Sequence, residues 1–312
     1  MSNLTSTDTA AVPPSGSARS AGSRHAAHTV HEKREIKLFS GFAHIALAVW
    51  GIMVIAPLIW VIFASFKSNT EIFTGAPFAL PSKLSFETYK TAWTEAHVGR
   101  YFLNSVFVVA ISTAGTMLFG SMAAYVLARY KFFGNRFIYY LFVSGLAFPV
   151  FLALVPLFLI LQNLGLLNTY TGLILVYIAY SLPFTVFFMT AFFKTLPNQI
   201  AEAAIVDGAS HTRLFFQVML PMARSGLVSI TIFNIVGQWN QYLLPVAIMQ
   251  GAGAEQKWVL TQGIANISVS AGYQANWAAL FAALTLSILP MIIVYAFFQR
   301  QIQSGLTAGA TK

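Results

Sequence analysis

Long apolar runs free of Asp, Glu, Lys and Arg alternate with polar stretches along this chain. The first run is 38–66 and the second 101–128. The next covers 137–193, which is 57 positions without one formal charge. A membrane helix needs ~20 mostly apolar residues, so this stretch holds two. Turn formers in 162–169, among them Asn163, Gly165 and Asn168, divide it into runs of about 137–161 and 169–192. A fifth run, 226–250, is interrupted by Gln238, Trp239, Asn240 and Gln241, and a sixth is 276–298. The pattern predicts an all-α membrane protein with six transmembrane helices. Residues 67–100 carry seven charges with Pro77 and Pro81, and predict an external loop with short helical pieces. Residues 251–275, with Gly251, Gly253, Glu255 and Lys257, predict a second loop.

The ends differ from the middle. Residues 1–37 are rich in Ser, Thr, Ala, Gly and Pro, with Arg19, Arg24, Lys33, Arg34 and Lys37. Such a segment buries too little apolar surface to offset its ordering entropy and predicts a disordered basic tail. It does not fit a cleaved signal peptide, because the first apolar run starts late, runs long and lacks a cleavage site. The expected organisation is therefore a tail at 1–37, a membrane domain at 38–300 and a short tail at 301–312.

Only 9% of residues are charged, against roughly 25% in soluble domains, so much of the surface must face lipid. The formal net charge of +9 would suggest nucleic-acid binding in a soluble protein, but its distribution has another cause. With a cytoplasmic N-terminus, inside segments hold 13 of the 18 Lys and Arg, and outside segments hold Lys67, Lys83, Lys90, Arg100 and Lys257. That split follows the positive-inside rule. It places both termini in the cytoplasm and makes nucleic acid an unneeded partner and lipid an obligatory one.

There is no cysteine, which excludes thiolate metal sites and cysteine nucleophiles. His25, His28 and His31 lie in the tail, where a metal site would lack supporting ligands, so no metal is expected. No G-x-x-x-x-G-K-[ST] phosphate loop and no acid/base or nucleophile constellation occurs, so no cofactor and no catalytic residue is expected in this chain. The uncharged spans disfavour a proton-coupled pathway and a strongly charged cargo. They carry amides and aromatics instead: Tyr177, Tyr180, Asn234, Gln238, Trp239, Asn240, Gln241 and Tyr242. These suit a sugar's hydroxyls and C–H faces, and they equally suit helix–helix joints and interfacial belts. On a helix Asn234, Gln238, Gln241 and Tyr242 share one face, which we expect to line a cavity, with Asn240 as a helix–helix contact. Pro57, Pro149, Pro156, Pro183, Pro245 and Pro290 kink the spans, either as gates or as static bends.

The sharpest pattern follows span four. Pro197 suits a first helical turn, 198–206 are good helix formers, and Gly208 suits a left-handed end. Ser210 can cap a second helix closed by Pro221. This predicts a short helix–turn–helix between spans four and five. Glu202, Ala203 and Ala204, then Asp207, Gly208 and Ala209, then Leu220 and Pro221, resemble the EAA loop of ABC-transporter inner-membrane permeases. The resemblance implies a cytoplasmic coupling helix that docks on a separate ATPase. Six spans, a long first external loop, Gln238 to Tyr242, and the ending Gly305 to Lys312 are similar to the carbohydrate-uptake branch, and within it to the smaller membrane subunit of the maltose importer. The chain departs from that branch at Gln241, where an acidic residue is frequent. The branch implies sugar or oligosaccharide uptake, a second homologous permease, two ATPase subunits that bind ATP and Mg, and an extracytoplasmic sugar-binding protein. It also implies that the C-terminal tail reaches toward the ATPases. Peptide, amino-acid or polyamine import is the nearest alternative, followed by a stand-alone carrier or channel and then a membrane enzyme.

Overall fold

The computed structural model describes the backbone of residues 22–274 and 276–310, and the side chains of 41–269, 276–299 and 301. The described residues are mostly helical, with no strand among them. Contacts divide the chain into Met1–Ile59 and Trp60–Lys312. In the first unit the described residues form part of one helix, α1, Gly22–Ala64. Its backbone begins well before Leu38, so residues 22–37 of the expected tail are helical: no glycine after Gly22 and no proline before Pro57 interrupts them. The remainder of that tail, 1–21, lies outside the described residues.

The second unit is built around α4, Val98–Arg129, packed along α7, Tyr170–Thr195. Both are long enough and apolar enough to cross a membrane. Small residues hold them close: a side chain at Gly120 would meet Thr185 Cγ2 at 2.6 Å. Such small contacts are the usual means of joining helices in lipid, where no hydrophobic force separates helix from solvent. Thr169 caps α7, its hydroxyl accepting from Gly172 N at 3.0 Å. Three apolar clusters are threaded along α4. One holds Val98 and Tyr101 with Ala92 of α3, Glu87–Thr94, and Leu260. A middle one holds Val108 with Leu173 and Tyr177. The last holds Ala124 and Tyr125 with Met189, Phe193 and Phe215.

The 67–100 loop contains two short helices as expected, α2, Asn69–Thr74, and α3. The span expected over 137–161 is instead two helices, α5, Asn135–Ala147, and α6, Val150–Asn163, bent by 101°. The cause is local. Phe148 precedes Pro149, and a residue before proline is driven out of the helical region; its ψ is 120°.

The span expected over 226–250 is also divided. The chain runs from α8, Asn198–Val206, through α9, His211–Met222, into α10, Arg224–Trp239, with a 79° bend between α9 and α10. After a break at 240–242 comes α11, Leu243–Ile248. Sixteen residues give α10 roughly 24 Å, less than a bilayer's hydrocarbon thickness.

The expected loop over 251–275 is a turn followed by a helix, α12, Leu260–Gln274. Its Gln, Asn and Ser residues hide it from a search for apolar runs. Finally α13, Trp277–Ala310, runs past the expected end of span six, so 301–310 of the expected tail is helical, while 311–312 lie outside the described residues. Among the described residues four helices are long and apolar enough to cross a membrane, and up to six spans result if each bent pair is one.

Candidate functional site

The loop after α7 folds as its residues dictate. Pro197 precedes α8, and Asp207 ends it. Gly208 takes φ +82°, its N–H donating to Ile205 O at 3.0 Å while Ala209 N donates to Ala204 O at 2.9 Å. These two bonds form a Schellman ending, which uses the last carbonyls of the helix. Ser210 caps α9, its hydroxyl accepting from Arg213 N at 3.3 Å. Leu214–Met219 of α9 is a wider, π-type turn, and Leu220 and Pro221 follow in the last turn before the bend.

Tertiary contacts fix this element at one end of the bundle. Ala201 and Ala204 pack on the cluster of Tyr125, Phe193 and Phe215. Arg129, the last residue of α4, donates to Leu196 O at 2.7 Å and bonds Asn198 Oδ1. Tyr130 and His211 share a hydrogen bond of 2.9 Å. The opposite face of α8 is open: Glu202, Ala203, Asp207 and Gly208 are exposed, and so are Ile205 and Val206, the latter 86%. An exposed β-branched pair beside two carboxylates is a compact surface with both apolar and anionic contacts to offer. Nothing fills the space beside Gly208, where an added Cβ would meet no atom within 4 Å.

The four amide and aromatic residues expected to face a cavity part company. Gln238 lies inside, 3% exposed, and is a four-way joint. Its Oε1 accepts from Ser112 at 2.6 Å and Thr113 at 2.9 Å, and its Nε2 donates to Ser181 at 3.0 Å and Thr116 at 3.4 Å. That ties α10 to α4 and α7 with every donor and acceptor position of the amide used. Asn234 is also buried and donates to Thr185 Oγ1 at 2.9 Å and Met117 Sδ at 3.4 Å. It borders a cavity of about 330 Å³ beside the α5–α6 bend. Gln241 sits in the break, where its carbonyl accepts from Thr261 Oγ1 at 2.8 Å. Tyr242 is the one that lines the large cavity, about 810 Å³, between α10, α12 and α13.

Asn240 faces that cavity too, where the shared-face argument makes it a helix–helix contact. It shares a face with Val236 and Trp239, which line the same space at three- and four-residue spacing, so the spacing separates it from Asn234 and Gln238 without telling what its face meets. The helix ends there, the Asn240 amide folding back to Val236 O at 2.8 Å, and the directions of 241 and 242 follow the break instead. Trp239 borders the same space, its indole N–H held by Ser287 O at 3.2 Å. Thr261 and Ser268 of α12 complete the polar lining, and they went unnoticed with their helix. Among the described residues no group of three His, Cys, Asp or Glu could hold a metal.

Comparison with known proteins shows the family. The family model of the binding-protein-dependent transport system inner membrane component matches residues 116–307. The chain is 52% identical over 271 residues to the diacetylchitobiose uptake system permease protein NgcG of Streptomyces coelicolor, covering 87% of this chain and 88% of that one. It is 32% identical to the arabinooligosaccharides transport system permease protein AraQ of Halalkalibacterium halodurans, over 87% and 94% of the two chains. A solved bacterial ABC transporter involved in the import of the acidic polysaccharide alginate shares the fold, with TM-score 0.74, 22% identity and coverage of 86% and 97%.

Proposed function

Because the chain belongs to the family of binding-protein-dependent transport system inner membrane components, we propose that it forms half of the membrane pathway of an ATP-driven importer of sugars or oligosaccharides. It is a multi-pass inner-membrane transport subunit, and ATP hydrolysis belongs to separate partners. The observation that carries the cargo class is the 52% identity, over nearly the whole chain, to a permease named for diacetylchitobiose uptake. The partners are a second homologous permease, two cytoplasmic ATPase subunits that bind ATP and Mg, and an extracytoplasmic sugar-binding protein. The six spans are α1, α4, the bent pair α5–α6, α7, α10 with its approach, and α13. Both termini are cytoplasmic, on the strength of the 13-to-5 split of Lys and Arg.

On this reading α8 and α9 are the coupling element. Glu202, Ala203, Asp207 and Gly208 meet the ATPase, Ala204 seats the helix on its own bundle, Ala209 closes its end, and Leu220 and Pro221 lead it back into α10. Tyr242 and Asn240 face the cargo where the last span breaks, while Asn234 and Gln238 hold the helices that frame the path. Gln241 contributes backbone to the same break.

Labelling tests the placement, and the absence of cysteine makes it clean. Thr94→Cys and Ala203→Cys both sit at exposed positions. An impermeant maleimide is expected to label position 94 in intact cells and position 203 only after lysis. Bound ATPase should shield position 203. Labelling of 203 from outside, or equal labelling with and without the ATPase, contradicts the coupling assignment.

A further inference from the structure

We propose that residues 72–86 lie in the headgroup layer of the membrane as an apolar collar covered by lipid. This rests on the chain's spanning a membrane, and not on its cargo or its orientation. The segment is poor in charge: Lys83 is its one charged residue. It shows five large apolar side chains on its surface, Phe73 at 62% exposed, Phe78 at 87%, Leu80 at 68%, Leu84 at 72% and Phe86 at 70%. Scattered single exposures of this kind are ordinary, but a cluster this dense in fifteen residues marks a contact surface. The next helix, α3, buries Ala92 on one side, and its exposed side differs in character, with Glu87 and Lys90 on it and Glu95 just after it.

The depth of the segment is set by bonds to the ends of the spans. The indole of Trp60, near the end of α1, donates to Pro77 O at 2.7 Å. Phe73 packs edge-on against Trp277, the first residue of α13, at 6.2 Å. Asn69 Oδ1 accepts from Ala278 N at 2.9 Å, and Phe66 packs against Phe86 at 5.5 Å. Trp60, Phe66 and Trp277 are aromatic residues at helix ends, the position where such rings sit at the membrane–water boundary. The collar hangs from them, at the opposite end of α4 from Arg129 and the α8–α9 element.

The backbone of the segment says how deep it goes. Between residues 76 and 86 three backbone donors are in use: Ala79 N to Ala76 O, Ser82 N to Glu71 Oε1, and Ser85 N to Lys83 O. Irregular chain with open amides cannot enter the hydrocarbon, where no water replaces the missing partners. In the headgroup layer water is available to the backbone while apolar side chains reach the acyl boundary. Lys83 then has lipid phosphate within reach. A soluble binding protein that comes and goes would leave these side chains in water between visits, whereas lipid at the level of Trp60 and Trp277 is always present.

Fluorescence quenching in the full chain tests this. Phe78→Cys and Leu84→Cys, made separately and carrying an environment-sensitive dye, would be placed in bilayers of phosphatidylethanolamine and phosphatidylglycerol. Thr94→Cys serves as the aqueous reference and Ile293→Cys, on the exposed face of α13, as the deep one. The expected result is blue-shifted emission at 78 and 84, with most of it lost to a nitroxide near the lipid headgroup and little lost to aqueous iodide. Position 94 should respond to iodide, and position 293 to a nitroxide deep in the acyl chains. Quenching of 78 and 84 by iodide alone would place the segment in water, and protection from both quenchers would place it against another protein; either overturns the collar. If position 293 also escapes the deep nitroxide, it is the membrane reading itself that fails.

Discussion

Gly208→Val is expected to abolish uptake while leaving the chain inserted in the membrane. Gly208 sits at φ +82°, where a β-branched residue is strained by about 1–3 kcal/mol. The space around it is empty, so the strain is all in the backbone and none of it in a clash. A penalty of that size shifts the population of the Schellman ending by roughly 5- to 150-fold. The consequence is specific, because the bond from Ala209 N to Ala204 O orients α8 and its exposed Ile205 and Val206 relative to α9. The membrane-crossing helices do not depend on it. Gly208→Asn is the control, since asparagine tolerates the left-handed region far better than valine. Uptake and ATPase association should fall together in the valine variant and largely return in the asparagine one. If the valine variant transports normally, the loop does not couple.

Gln238→Leu should lower the thermal stability of the purified protein, and uptake with it. The substitution removes an amide that joins Ser112, Thr113, Thr116 and Ser181 across three helices. An interhelical bond in a membrane is worth ~0.6 kcal/mol on average, so four bonds suggest a loss of about 2 kcal/mol. The hydroxyls left behind can fall back on their own helices, as Ser112 already does with Val108 O at 2.6 Å. The joint is therefore loosened without leaving buried charge. Thermal unfolding in detergent, read beside uptake, separates packing from cargo contact. The Gln238 variant should unfold at lower temperature and keep the apparent KM of whatever transport remains. Tyr242→Ala should do the reverse, with unchanged unfolding and a raised apparent KM. Unchanged stability with altered KM in the Gln238 variant would return that residue to the cargo path.

These two sites show what the chain discloses before it folds. The α8–α9 element was legible residue by residue, because capping and helix-ending chemistry is local: Gly208, Ser210 and Pro197 act on their own neighbours. The long uncharged runs were legible because lipid leaves no place for charge. What escaped was set by partners distant in sequence or by a single torsion. The turn at Pro149 was visible as a proline, yet its 101° bend follows from a single torsion, the ψ of Phe148. The α12 helix escaped because its polar residues face neighbours: Gln262 Nε2 donates to Pro245 O at 3.2 Å, and Gly263 gives way to the ring of Tyr101. Helical spacing grouped Asn234 and Gln238 correctly on one face, but not what that face meets. It carries no further than Asn240, because the helix stops there.

The uncharged spans also carry less about cargo than they suggest. A solved importer of an acidic polysaccharide shares this fold, so the fold by itself does not set the charge of the cargo. The cargo class stands on the close relative rather than on the absence of charge.

The most direct test of the central claim is uptake by the complex isolated through a tag on this chain and rebuilt in proteoliposomes. Saccharides on the loaded binding protein would be supplied outside and ATP with Mg inside, with diacetylchitobiose tried first because the relative at 52% identity is named for it. The account predicts accumulation that requires both the binding protein and ATP. Equal accumulation without ATP would make the chain a carrier or channel, and accumulation of peptides or polyamines in place of saccharides would contradict the cargo assignment.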